Sequence, residues 1–245
     1  MTSSLALQLY SLRRETTVDA EATVRRVPSL GYNGIEMAGT YGWSLDQWKH
    51  LLAETDLEIV GVHVGLESLE KEWPWQVELP RALGNRRLIV PSIPVVLRRN
   101  AETYREASAR LNALGKRARQ ENLQLLYHNH AFEFEMLGNG EFGIDIMLRE
   151  TDPQLVAFEI DTHWVERGGP DCLAFIEKHA ARIGMIHAKE YRKRDNADVP
   201  AGEGDIDFKS LIPLARKNAW PIVVEYEGED ALAAVAASAK YLSAI

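Results

Sequence analysis

Cysteine is nearly missing: Cys172 is the only one in 245 residues. The chain therefore cannot close an internal disulfide, a reducing cytoplasm is the expected setting, and a small buried apolar side chain is the ordinary role for that thiol. Basic residues are also in short supply. With 28 Lys and Arg against 36 Asp and Glu, the formal charge is −8, which argues against a surface that tracks nucleic-acid phosphates. No apolar run is long enough to span a bilayer. The start, MTSSLALQLYSLRRE, has no basic region ahead of its short apolar run, so it does not read as a secretory leader. No Gly/Ser linker or low-complexity tract divides the chain, and residues 1–245 read as one domain. Missing as well are the Gly-x-Gly-x-x-Gly fingerprint, the phosphate loop, the Gly-x-Ser-x-Gly elbow and any Cys-x-x-Cys pair. A small, neutral or weakly charged ligand fits what is left, with no nucleic acid and no membrane as partner.

What is present is an alternation. Strand-like runs at 5–11, 33–38, 58–65, 86–93, 123–130, 156–164, 184–191 and 221–227 are separated by helical patterns. Ser44 is placed to cap a helix over 44–55, and residues 101–122 carry the clearest helical periodicity, with Tyr104, Ala107, Leu111 and Leu114 on one side. The stretch 66–84, with Trp73, Pro74 and Trp75, reads as irregular and as hanging over a pocket mouth. Eight such units of about 30 residues predict one closed (β/α)8 TIM barrel, with its active site at the C-terminal ends of the strands.

The last four strands carry unusual polar residues in LQLLYHNH, VAFEIDTHW, GMIHAKEY and PIVVEYE. Residues two apart on a strand share a face. This groups His128 with His130, Glu159 with Asp161 and His163, His187 with Lys189, and Glu225 with Glu227. Titratable groups crowded on buried strands repel or desolvate one another without a compensating cation. His128, Asp161, His187 and Glu225 are thus the candidate ligands of one divalent ion, for which Mn²⁺, Co²⁺, Zn²⁺ and Mg²⁺ all suit two nitrogen and two oxygen donors. His130 stands either beside the metal or just behind it. Lys189 is placed either to bind a substrate oxygen or to pair with Glu159 in the lumen. Glu36 and His63 repeat the theme on the second and third strands, either holding substrate hydroxyls or, for Glu36, tying neighbouring strands. Trp73 is the aromatic candidate to stack on a sugar face. AGEGDIDF at 201–208 reads as a mobile loop entering a helix cap.

The ordered set LQLYSLR, GIEM, VHV, YHNHAFEF, FEIDTHW, MIHAKE, GEGDIDF and VVEYE resembles the xylose-isomerase-like TIM barrel superfamily of sugar phosphate isomerases and epimerases, over nearly the whole chain. The resemblance implies a metal held by Glu, Asp, His and Glu from strands five to eight. Asp161, His187 and Glu225 match three of these, while His128 stands where the ketose epimerases have Glu. It further implies proton abstraction next to a carbonyl of a sugar, keto-sugar or cyclitol. Glu225, His130, Lys189 and Glu159 are then the candidate catalytic groups, and Glu36, His63, His163 and Trp73 the candidate substrate contacts. Isomerisation or epimerisation is the first expectation. A lyase using the same enolate is the alternative, because His at strand five resembles the branch that includes inosose dehydratase. The apurinic-site endonucleases of the superfamily are a distant third. LIVPSI supplies no histidine, Trp164 replaces a metal-binding His, and the net charge opposes DNA. Monomer and homo-oligomer both stay open.

Overall fold

In a computed structural model, which describes residues 5–245, eight parallel strands close into a barrel in sequential order. They are β1 (Leu5–Gln8), β2 (Gly34–Met37), β3 (Glu58–His63), β4 (Arg87–Val90), β5 (Gln124–His128), β6 (Val156–Asp161), β7 (Ile183–Ala188) and β8 (Ile222–Val224). The ring shuts where Leu5, Ala6 and Leu7 of β1 pair with Ile222, Val223 and Val224 of β8. Around it run α1 (Arg13–Arg26), α2 (Leu45–Thr55), α3 (Leu66–Ala82), α4 (Ala101–Gln120), α5 (Gly143–Glu150), α6 (Thr162–Gly168), α7 (Cys172–His179), α8 (Phe208–Lys217) and α9 (Ala231–Ser243). The (β/α)8 barrel expected from the alternation is therefore the observed fold. Among the described residues no helix is long and apolar enough to cross a membrane. Residues 1–4, the start of the stretch expected not to be a secretory leader, lie outside the described residues.

Strand alternation explains the two cores. Leu7, Ile35, Leu125, Tyr127, Phe158, Ile160, Ile186 and Val224 point outward and pack under the helices. Ala6, Val60, Ile89, Leu126, Met185 and Val223 form a separate apolar plug inside the barrel. Further along the barrel axis, the inward positions are Gln8, Glu36, His128, Glu159 and His187, all buried. The lumen thus changes from apolar to ionisable along its axis, and the change falls at the end that carries barrel active sites.

Local signals set the helix ends. Ser44 accepts from Gln47 N–H and Gln47 returns a bond to Ser44 N–H, a reciprocal cap on α2. The expected irregular segment at 66–84 is instead α3. The proline reading failed because α3 bends at Glu72, which has non-helical φ −128° and ψ 29°. Pro74 then falls in the first turn after the bend, where a missing N–H costs nothing.

Candidate metal centre and active-site cavity

Each polar group in the mouth is held by a residue that the local chain supplies. β6 ends at Asp161, and this residue is also the N-cap of α6, its Oδ1 accepting from Trp164 N–H at 3.0 Å. The helix terminus fixes one carboxylate oxygen and leaves Oδ2 directed away. Asn129, next to His128, accepts from Asp161 N–H at 3.0 Å, so the ends of β5 and β6 are clamped together. Thr162 ties the end of β7 by donating to the carbonyl of Lys189 at 2.7 Å and accepting from its N–H at 3.2 Å.

His128, Asp161, His187 and Glu225 each bring one donor atom into a group in which all four lie within 4.8 Å of one another. Asp161 Oδ2 and His187 Nδ1 are buried and have no hydrogen-bond partner. His187 Nδ1 lies 2.9 Å from Glu225 Oε2 without the geometry of a hydrogen bond. Burial, joined by the charge of Glu225, pushes the Asp161 carboxyl up to about 8 against the pull of Lys189. An orphaned carboxylate oxygen and two crowded carboxylates around one point fit a divalent cation, with mixed N and O donors suited to Mn, Co, Zn or Mg.

Beneath this group lies a second ring of contacts. Glu159 Oε2 is 3.0 Å from His128 Nδ1, 3.0 Å from His63 Nε2 and 3.2 Å from His187 Nε2. Glu36 Oε2 is 2.7 Å from His187 Nε2 and 2.7 Å from Gln8 Nε2. Each carboxylate thus holds the inner nitrogen of an imidazole and turns the outer one toward the mouth. Burial opposes charge on Glu159, but its contacts with His187, His128 and His63 outweigh it and hold this carboxyl well below its usual range. Burial keeps His128 below the ordinary histidine value, which leaves it the neutral form that a ligand needs. His63, His128, Glu159 and His187 form a second cluster within 4.8 Å.

A cavity of about 520 Å³ opens above, lined by Gln8, Tyr10, Ala38, His63, Pro91, His128, His130, Trp164, Glu225 and Glu227. His130 stacks on Trp164 with ring centres 5.4 Å apart and on Phe132 at 5.6 Å. Burial, helped by the charge of His128, lowers His130 to about 3, so it is neutral. Lys189 Nζ lies 4.8 Å from the Trp164 ring centre and 3.4 Å from Glu225 Oε1, and it pairs closely with Glu227. Although burial disfavours its charge, Glu225, Asp161 and Glu227 raise its pKa and keep it an ammonium.

The cavity gathers His63, His128, His130 and Glu225, with Asp161, His187 and Lys189 buried beside them. It leaves out three candidate substrate contacts, Trp73, His163 and Glu36, and one candidate catalytic group, Glu159. Trp73 is 2% exposed, and its indole N–H donates to Glu121, just past the end of α4, so it packs in the outer helical layer and does not line the cavity. His163 sits in the first turn of α6 rather than on a strand, because β6 stops at the Asp161 cap, and its Nδ1–H donates to the Glu190 carbonyl at 2.8 Å. Glu36 and Glu159 are fully buried under the histidines, outside the cavity lining. Shared strand faces indicate direction but not depth along the barrel axis. The pairing of Lys189 with Glu159 gives way to Glu225 and Glu227. Gln8 and Trp164 went unassigned as site residues. A glutamine at the inward end of an apolar strand was the available signal for the first, and for Trp164 there was none.

The fold and site together define a (β/α)8 barrel that carries two histidines and two carboxylates around one point at its C-terminal mouth. The chain belongs to the xylose isomerase-like TIM barrel family, an enzyme family whose model matches residues 24–245. An inosose dehydratase of Clostridium perfringens is 23% identical over 252 residues, covering 87% of this chain and 84% of the relative. A sugar phosphate isomerase/epimerase from Parabacteroides distasonis superposes with TM-score 0.86 at 24% identity, over 99% of this chain and 98% of that one. The 3-keto-D-glucoside 4-epimerase of E. coli superposes with TM-score 0.72 at 16% identity, over 99% of each chain.

Proposed function

We propose that the protein is a divalent-metal-dependent enzyme that abstracts a proton next to a carbonyl of a sugar, keto-sugar or cyclitol. The convergence of His128, Asp161, His187 and Glu225, with Asp161 Oδ2 buried and lacking a hydrogen-bond partner, carries the reading. A divalent cation held there would polarise a substrate carbonyl and stabilise the negative charge that develops on its oxygen. Glu225 accepts the proton from carbon. Lys189, an ammonium between Glu225 and Glu227, supplies hydrogen to a substrate oxygen. Neutral His130, stacked on Trp164 in the same lining, is the second proton-handling group. His63 offers its ring edge to hydroxyl groups from the lining.

A second base in the lining, His130 beside Glu225, favours isomerisation or epimerisation, in which the proton returns to carbon. Elimination of water is the second reading, and the 23% identity to an inosose dehydratase over most of the chain supports it. Mass spectrometry of the product from a panel of keto-sugars and inososes separates the two: unchanged mass means isomerisation or epimerisation, and loss of one water means dehydration. Lys189→Met is expected to keep the bound metal and lose about 100-fold or more in turnover. Turnover unaffected by this change would remove Lys189 from the mechanism.

A further inference from the structure

The proposed reaction leaves unexplained why the segment after Lys189 reads EYRKRDNADVPAGEGDID. Glu190 points away from the cavity and is 1% exposed. Its Oε1 accepts from Tyr191 N–H at 3.0 Å and from Ile206 N–H at 3.1 Å, and its Oε2 accepts from Gly202 N–H at 2.9 Å. One carboxylate thus gathers both ends of the 191–206 loop. The two glycines follow from this packing. A Cβ at 204 would lie 2.5 Å from Glu190 Oε1; Gly202 has φ +90°, and a Cβ there would meet Tyr241 at 2.7 Å. The loop expected to be mobile is therefore tied from within. It is also tied to α9, since Ala201 N–H donates to Ser238 at 3.0 Å.

The loop ends its work at β8. Asp198 Oδ2 accepts from Glu227 N–H at 2.8 Å, while the Glu227 carbonyl accepts from Arg13 at 3.0 Å. The backbone of Glu227 is thereby held on both sides, and its carboxylate meets Lys189. His163 completes the arrangement by binding the carbonyl of Glu190 itself.

Resting on the proposed reaction, we infer that Glu190 is a positioning residue: it folds the 191–206 loop so that Asp198 locks Glu227 against Lys189, the group that supplies hydrogen to a substrate oxygen. A carboxylate, which only accepts, suits three converging N–H donors. Displacing a reacting group by about 1 Å costs on the order of 100-fold in rate.

The test uses the metal-loaded full chain. Glu190→Ala is expected to raise tryptic cleavage at the exposed Lys193 and Arg194 about tenfold, by populating the open loop. It is also expected to speed hydrogen exchange at the Glu227 amide and to cut kcat about 100-fold, with KM within about twofold. Asp198→Ala should reproduce the exchange and the kcat loss while the loop stays closed to trypsin. Glu203→Gln, on the exposed tip, should change none of these. A wild-type exchange rate at Glu227 in Glu190→Ala, or wild-type kcat in Asp198→Ala, overturns the inference. If the wild type turns over no keto-sugar or cyclitol, the proposed function fails by itself, and exchange at Glu227 still decides the role of Glu190.

Discussion

Four buried polar positions at strand ends were legible in the chain because burying an acid or imidazole among Ile, Val and Leu has a cost that only a partner or a cation offsets. Position along the axis was not legible. Glu159 and Asp161 share a face, yet one lies under the histidines and the other closes the donor group above them. If Glu159 sets the tautomer of His128, then Glu159→Gln lowers affinity for Mn²⁺ or Zn²⁺ by about 10- to 100-fold in calorimetric titration. Unchanged affinity would show that the rings are oriented without it. Glu133 offers a separate residue-scale test. It is fully buried, pairs closely with the Tyr127 hydroxyl and accepts from His130 N–H at 2.8 Å, and burial pushes it up to about 8. Its folded pKa lies above the unfolded value of about 4.3, so its stabilising contribution is full below that value and is lost as pH rises toward 8. Glu133→Gln should flatten the fall in melting temperature between about pH 5 and pH 8 relative to wild type. An equally steep fall in the variant would contradict the assignment.

Elements with strong end signals were read correctly from sequence, and those with conflicting signals were not. Ser44 and Gln47 mark the start of α2 by a reciprocal cap that any sequence reader can find. The stretch with Trp73, Pro74 and Trp75 reads as irregular in sequence, because nothing local reveals that the helix bends at Glu72 and restarts just before Pro74. The HNH and THW runs looked like continuing strands, but Asn129 and the Asp161 cap end them and turn His163 into a backbone anchor. Packing between elements also overrides propensity. Gly115 lies inside α4, where Ala would ordinarily add about 1 kcal/mol of helix stability. Here a Cβ would overlap the Leu155 carbonyl just before β6, and overpacking against backbone costs about 1–3 kcal/mol. Gly115→Ala is therefore expected to lower the melting temperature. A rise would mean that α4 can move outward freely.

At the scale of the whole molecule, one design carries both stability and chemistry. The apolar plug formed by Ala6, Leu126, Met185 and Val223 fills the barrel below the ionisable layer, so the site rests on a packed floor rather than a pore. The repeating strand-helix pattern was enough to recover this architecture, because it depends on periodicity that composition and order expose directly. The reaction depends on which proton moves, which periodicity does not encode. Incubating the Mn²⁺-loaded protein with keto-sugars and inososes in D₂O, and following deuterium at the carbon next to the carbonyl by mass spectrometry, measures that proton directly. The account predicts deuterium in substrate or product, lost on chelation and reduced about 100-fold or more in Glu225→Gln. Absence of exchange with every keto-sugar and inosose, or undiminished exchange in Glu225→Gln, would contradict it.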